Sequence, residues 1–273
     1  MNRIMKENKF LFVVVLVLAV LFLFVLCQFY LSYQTKSGTL FQVSTFSALS
    51  QGVYDGVVPF SELKKHGDFG IGTFDSLDGE MFMNEGKMFQ IKSDGIAYPV
   101  DDSLETPFAS VVFFVPTEEF VFSDDMNFSQ FQERLDKEIP TLNIPYAIRI
   151  SGEFDYVKTR SVPRQQKPFP LLVEVVKNQP VFDFNNVSGV IVGYRLPDYF
   201  EKSNVPGYHL HFLDSDMNAG GHLINFNSKS IKVSVQFLNN FYLILPGNSS
   251  FYDTNISKHS KEDTEFIEGQ VGK

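Results

Sequence analysis

The sequence predicts a β-rich α+β fold preceded by one N-terminal transmembrane helix. Three observations carry this expectation. Short apolar runs are cut repeatedly by Asp-Gly and Glu-Gly dipeptides, which are hairpin signals. Few stretches show helical spacing together with helix start and stop residues. Residues 10–26 are seventeen consecutive apolar residues, placed behind Arg3, Lys6 and Lys9.

The apolar run is longer than a signal-peptide core of about 7–15 residues and stands at the short edge of a membrane span. Cys27, Gln28 and the aromatic-rich residues 29–31 extend it to 10–31, with the rings at the interface. No polar residue breaks the run on any face, which disfavours a buried core helix. No small-residue cleavage site follows, and Leu26 before Cys27 does not suit lipoprotein processing. The basic flank, residues 1–9, is expected in the cytoplasm and the remainder outside it. An uncleaved signal-anchor is therefore the expectation, with a secreted form after cleavage as the alternative. Residues 32–38 read as a polar linker. Asn127, Asn186, Asn248 and Asn255 each open an Asn-x-Ser sequon, in keeping with export.

The globular part begins near Leu40. Residues 59–67 read as a short helix with Pro59 at its start and Gly67 past its end. His66 falls at that end, where a cation suits the helix terminus. Residues 68–100 read as a β-meander turning at Asp78-Gly79, Glu85-Gly86 and Asp94-Gly95. Residues 109–115 form a continuous apolar run, expected as a central strand. Residues 127–139 are the best soluble helix, with Ser129 and Gln132 spaced as a capping box. Residues 146–162 read as two strands broken at Ser151-Gly152. A short helix over 171–177 and strands over 181–184 and 189–194 follow. Residues 231–237 and 241–245 read as a hairpin, and after Pro246 the chain becomes polar and acidic. No internal repeat of fixed period is present.

Composition narrows the function. Apolar residues make up 44% of the chain, which suits a packed core. A formal charge of −9 and the lack of a basic stripe argue against nucleic acid as partner. The single cysteine, Cys27, lies in the apolar segment, so any metal in the globular part must be held by histidine and carboxylate.

The stretch from Gly207 to His222 holds three of the five histidines. His209 and His211 are two apart, so on a strand they share one face, about 6–7 Å apart at the backbone. Gly220-Gly221 could turn the chain and bring His222 alongside. Three histidines with a fourth position open is the ligand pattern of a catalytic zinc. Two strand histidines satisfied by core hydrogen bonds is the plainer reading. A cupin-like site is another, although its glutamate is missing here. His259, in a Lys-His-Ser-Lys context, reads as a surface residue.

Three blocks then carry a family resemblance: residues 70–81 (Gly-Ile-Gly-Thr-Phe-Asp-Ser-Leu-Asp-Gly-Glu-Met), residues 158–165 (Lys-Thr-Arg-Ser-Val-Pro-Arg-Gln), and residues 207–213 with Gly220-Gly221-His222. In this order and spacing the chain from Leu40 onward resembles α-acetolactate decarboxylase. The resemblance implies decarboxylation of 2-acetolactate in acetoin biosynthesis, on the butanediol pathway. It implies zinc held by His209, His211 and His222, catalytic roles for Glu80, Arg160 and Glu268, and Thr73 in the substrate pocket together with Arg160. It further implies an N-terminal mixed β-sheet domain (39–165), a smaller, mostly antiparallel C-terminal β domain (166–273), and a homodimer.

The chemistry suits these residue types. Loss of CO2 from acetolactate leaves an electron pair that must delocalise into the neighbouring ketone as an enediolate. The ketone and hydroxyl oxygens sit on adjacent carbons and could chelate one zinc, a Lewis acid for the developing oxyanion. Arg160 offers a fork of donors for substrate oxygens, and a carboxylic acid could protonate the carbon. From the residues alone two other readings stay open, a zinc hydrolase using metal-bound water and an extracellular metal- or ligand-binding module.

Overall fold

Antiparallel pairing and the two-residue period of a pleated strand decide which side chains share a face. The computed structural model describes residues 15–26 and 38–269. Residues 15–26, within the expected membrane span, are helical and exposed. The rest of that span, the basic flank and the linker up to residue 37 lie outside the described residues. Among the described residues no helix is long and apolar enough to cross a membrane.

Residues from Gly38 onward form one compact unit built on two sheets. The first runs, edge to edge, β15 (Asn240–Ile244), β1 (Thr39–Val43), β8 (Ala109–Val112), β3 (Phe69–Thr73), β4 (Glu80–Asn84), β5 (Lys87–Ile91) and β6 (Ala97–Pro99). It is mixed because β1 and β15 run parallel. The second contains β10 (Met126–Asn127), β14 (Gly220–Phe237), β11 (Tyr146–Arg160), β12 (Val181–Leu196) and β13 (Gly207–Asp214), with β9 (Glu118–Phe122) laid along β14. Because β13 also pairs with β14, the four strands β11 to β14 close on themselves. β2 (Val58–Pro59) and β7 (Glu105–Thr106) form a separate pair. β11 precedes residue 165 yet belongs to the second sheet, and β15 follows it yet belongs to the first.

The apolar patterns explain the layers. Every residue of β3 and β8 is buried, as expected for central strands covered on both faces. Leu40, Phe69, Ile71 and Phe82 of the first sheet share a cluster with Ala147, Val192, Tyr194 and Leu213 of the second. The helix Phe128–Glu138 places Phe128, Phe131 and Leu135 on one face, three and four residues apart, against Phe226 and Tyr208. Fully burying a side chain such as Phe131 contributes about 1.5–3 kcal/mol.

Several boundaries differ from expectation. The meander over 68–100 is present as β3 to β6, each antiparallel to the next. The capping box belongs to Asn127 and Gln130, because Asn127 is the first residue whose side chain reaches the free amide of the third helical position. Residues 146–160 are one strand; Ser151 and Gly152 stay paired on both sides, and the irregularities come later, between Glu153 and Thr159. β12 likewise runs unbroken through 185–188. β15 leaves β14 and joins the first sheet, so residues 231–245 are not a hairpin.

Gly220-Gly221 is not the turn. Residues 215–218 turn, and Asp214 Oδ1 accepts hydrogen bonds from the amides of Asn218 and Ala219 at 2.7 and 3.1 Å. The two glycines open β14, where it is squeezed between β13 and β11. A Cβ on Gly220 would sit 2.1 Å from the Phe212 carbonyl oxygen, and one on Gly221 (φ +142°) 2.5 Å from the Arg160 carbonyl oxygen. Gly221→Ala is therefore expected to cost about 1–3 kcal/mol of stability, seen as a lower urea midpoint. An unchanged midpoint would show that the close approach is not needed.

Candidate active site

β-Sheet register assembles the histidines. On β13, His209 and His211 point to the same face. On β14, His222 pairs with His211 on one side and with Arg160 of β11 on the other. Directly paired residues share a face, so Arg160, His222 and His211 form a row, with His209 one pleat further on. One ring nitrogen from each histidine lies within 4.8 Å of the others, and the ring centroids are 5.0–5.4 Å apart.

The first sheet supplies the opposite wall. The turn at Asp78-Gly79 pairs Thr73 of β3 with Glu80 of β4, and Thr73 Oγ1 donates to the Gly79 carbonyl at 2.7 Å. Glu80 Oε2 stands 3.5 Å from His211 Nε2. The next residue, Met81, accepts a hydrogen bond of 2.8 Å from His211 Nδ1. A carbonyl only accepts, so Nδ1 carries the proton and Nε2 presents its lone pair to the pocket. That Nε2 is buried without a hydrogen-bond partner. An orphaned imidazole nitrogen beside two more buried imidazoles is what a three-histidine metal site leaves when its ion is not counted, and the donor set suits zinc.

The C-terminal tail folds back. Helix Lys261–Ile267 opens with a capping box between Ser260 and Asp263, and Glu268 is its last cap residue. Ile267 is buried, and Glu268 Oε2 lies 3.4 Å from His222 Nε2. Arg160 Nη2 is 3.1 Å from that same nitrogen. His259 is buried rather than on the surface. It meets the Thr264 hydroxyl at 2.8 Å and packs edge-on against Phe46, fixing the helix that carries Glu268. His66 stays at its helix end, stacked on Phe41.

Burial controls the charges. It holds the three imidazoles below their usual range, His209 at about 3, and Arg160 pushes the same way, so all are neutral at neutral pH, the form able to hold a metal. Burial raises the Glu80 carboxyl to about 8, opposed by Arg160 and reinforced by Glu268, and raises Glu268 to about 7. Arg160 faces both acids and is itself disfavoured by burial.

Thr73, Glu80, Arg160, His209, His222 and Glu268 line one pocket, and His211 backs it. Its remaining wall is mostly apolar, with Phe46, Leu77, Phe108, Val162, Leu172 and Ile267 among its members. Arg164 and Gln165 brace this wall from behind. Arg164 bonds Asp75 at 3.1 Å, and the Gln165 amide donates to the Ser76 carbonyl at 2.8 Å, holding the turn that presents Leu77. Sequence reasoning missed the apolar wall and Gln179, which also lines the pocket. Apolar residues carry no positional signal of this kind, and a glutamine before proline has none either.

Residues 40–258 match the alpha-acetolactate decarboxylase family. The alpha-acetolactate decarboxylase of Methanosarcina mazei is 47% identical over 232 residues, covering 85% of this chain and 81% of the relative. That of Bacillus subtilis is 41% identical, covering 84% and 91%. The crystal structure of the Bacillus subtilis strain 168 enzyme superposes with a TM-score of 0.82 at 40% identity, over 84% of this chain and 99% of that one. The fold and these relatives make the chain a carbon–carbon lyase. The chain belongs to the alpha-acetolactate decarboxylase family.

Glu80 gives a signed pH effect on the metal-free protein. Its carboxyl ionises near 4.5 when exposed and near 8 in the fold, so stability falls as pH rises through that window. Glu80→Gln lacks this loss. With chelator present, its melting temperature relative to wild type is expected to climb between about pH 5 and about pH 8. A difference independent of pH would contradict the burial of this acid.

Proposed function

We propose that the chain is a zinc-dependent acetolactate decarboxylase, releasing CO2 and acetoin from 2-acetolactate, with Arg160, Glu80 and Glu268 as its catalytic residues. The observation that supports this reading is the meeting of three buried imidazoles with two raised carboxyls and one arginine in a single pocket. Bound to His209, His211 and His222, zinc would supply a Lewis acid that stabilises negative charge developing on the ketone oxygen.

The chain's own residues do the rest. Arg160, pinned by its place in the sheet, holds substrate oxygens through a planar fork of donors. As the bond to the carboxylate breaks, its electron pair moves toward the ketone and CO2 leaves. The carbon must then gain one proton. Glu80 and Glu268 flank the histidines at 3.5 and 3.4 Å, and in the metal-free protein burial raises both carboxyls, so either one is placed to deliver it. The apolar wall and Thr73 keep bulk water from the reacting carbon.

The test is to incubate the zinc-loaded full chain with racemic acetolactate and assay acetoin. Turnover well above the uncatalysed rate is expected, and none with zinc bound would overturn the reading. His211→Ala is expected to lose zinc and activity together. Glu80→Gln is expected to keep zinc while kcat falls by roughly 10²-fold or more; retained turnover would remove Glu80 from the mechanism.

We also propose that residues 10–31 anchor the enzyme with its catalytic part outside the cytoplasm, supported by the apolar run and its basic flank. A homodimer is proposed from the family resemblance. Cell fractionation is expected to place activity with membranes until detergent releases it as a dimer. Activity confined to the soluble extracellular fraction would point to cleavage.

A further inference from the structure

Among the described residues, Gln179 holds the one neutral amide side chain of the pocket. Its backbone N–H donates to the Val176 carbonyl, and the next residue's carbonyl accepts from the Ser161 amide at 3.2 Å. Two residues on, Val181 pairs with Arg160. Gln179 is therefore fixed two residues before β12, near the end of β11 that carries Arg160. Its Oε1 is shut off from solvent and has no hydrogen-bond partner. A buried acceptor left unpaired costs stability unless something fills it.

The pocket restricts what that something is. Arg160 Nη2 is turned to His222 Nε2 at 3.1 Å, and the Thr73 hydroxyl proton is committed to Gly79. Glu80 and Glu268 stand against the histidines. The acetolactate anion brings a single hydrogen-bond donor, its tertiary hydroxyl.

We propose that Gln179 is a substrate-binding residue whose Oε1 accepts the hydrogen bond of that hydroxyl, while neighbouring Arg160 takes the carboxylate. This rests on the reading of the pocket as an acetolactate decarboxylase site. The pair then recognises a 2-hydroxy acid, and it fixes the bond to be broken relative to the ketone. A site built to pair a hydroxyl rejects ligands that lack it, because the acceptor is stranded again.

Two competitive inhibitors of nearly equal shape test this in the zinc-loaded full chain: 2-hydroxyisobutyrate, and pivalate, in which a methyl replaces the hydroxyl. Wild type is expected to favour the hydroxy acid, and Gln179→Leu to reduce that preference about five- to tenfold. KM for acetolactate is expected to rise by a similar factor, with zinc content unchanged and the substrate-free melting temperature not lowered. Gln179→Met serves the same purpose should the leucine variant not fold. Equal weakening of both inhibitors, or an unchanged preference, would overturn the proposal. If wild type makes no acetoin, the activity reading fails, and the ratio of the two acids' dissociation constants, read by calorimetry, still reports on Gln179.

Discussion

The site depends on one constraint, the backbone register of β14 between β13 and β11. That register sets His222 between His211 and Arg160, and it exists because Gly220 and Gly221 have no side chains to hold the neighbouring strands apart. Sheet hydrogen bonds thus do what flexible loops would do poorly, fixing three imidazoles and a guanidinium to the spacing of the pleat. The first sheet then adds Glu80 and the Met81 carbonyl, which orients His211.

Electrostatics follow from that placement. One buried guanidinium faces two buried carboxyls, with three imidazoles kept neutral between them. Such a cluster is costly alone, since each ion has lost its water. A dication at the histidines would offset the carboxylates, so it would lower both acids and help either one give up its proton.

Much of this was legible in the sequence. His209 and His211 follow from a two-residue spacing on a strand. Glu80, Arg160 and Glu268 needed the family resemblance, because a glutamate after an Asp-Gly turn, an arginine on a strand and a glutamate in an acidic tail look ordinary. Glu268 reaches the site only because the Ser260 capping box and buried His259 hold the last helix down. His259 itself was misjudged from its charged neighbours. The role of Gly220-Gly221 was misread as a turn, since close strand approach and chain reversal ask for the same residue. Long strands were cut short wherever polar residues interrupted them, as at 185–188, where β12 extends beyond the core.

The central claim is that three imidazoles, and no thiolate, hold a zinc at the place the register defines. Zinc-edge X-ray absorption on the full chain tests it most directly. The account predicts three imidazole ligands at about 2.0–2.1 Å, with lighter oxygen donors completing the shell, and one imidazole fewer, or no zinc, in His222→Ala. Zinc that is bound with no imidazole scattering, or that is unchanged in His222→Ala, would contradict it.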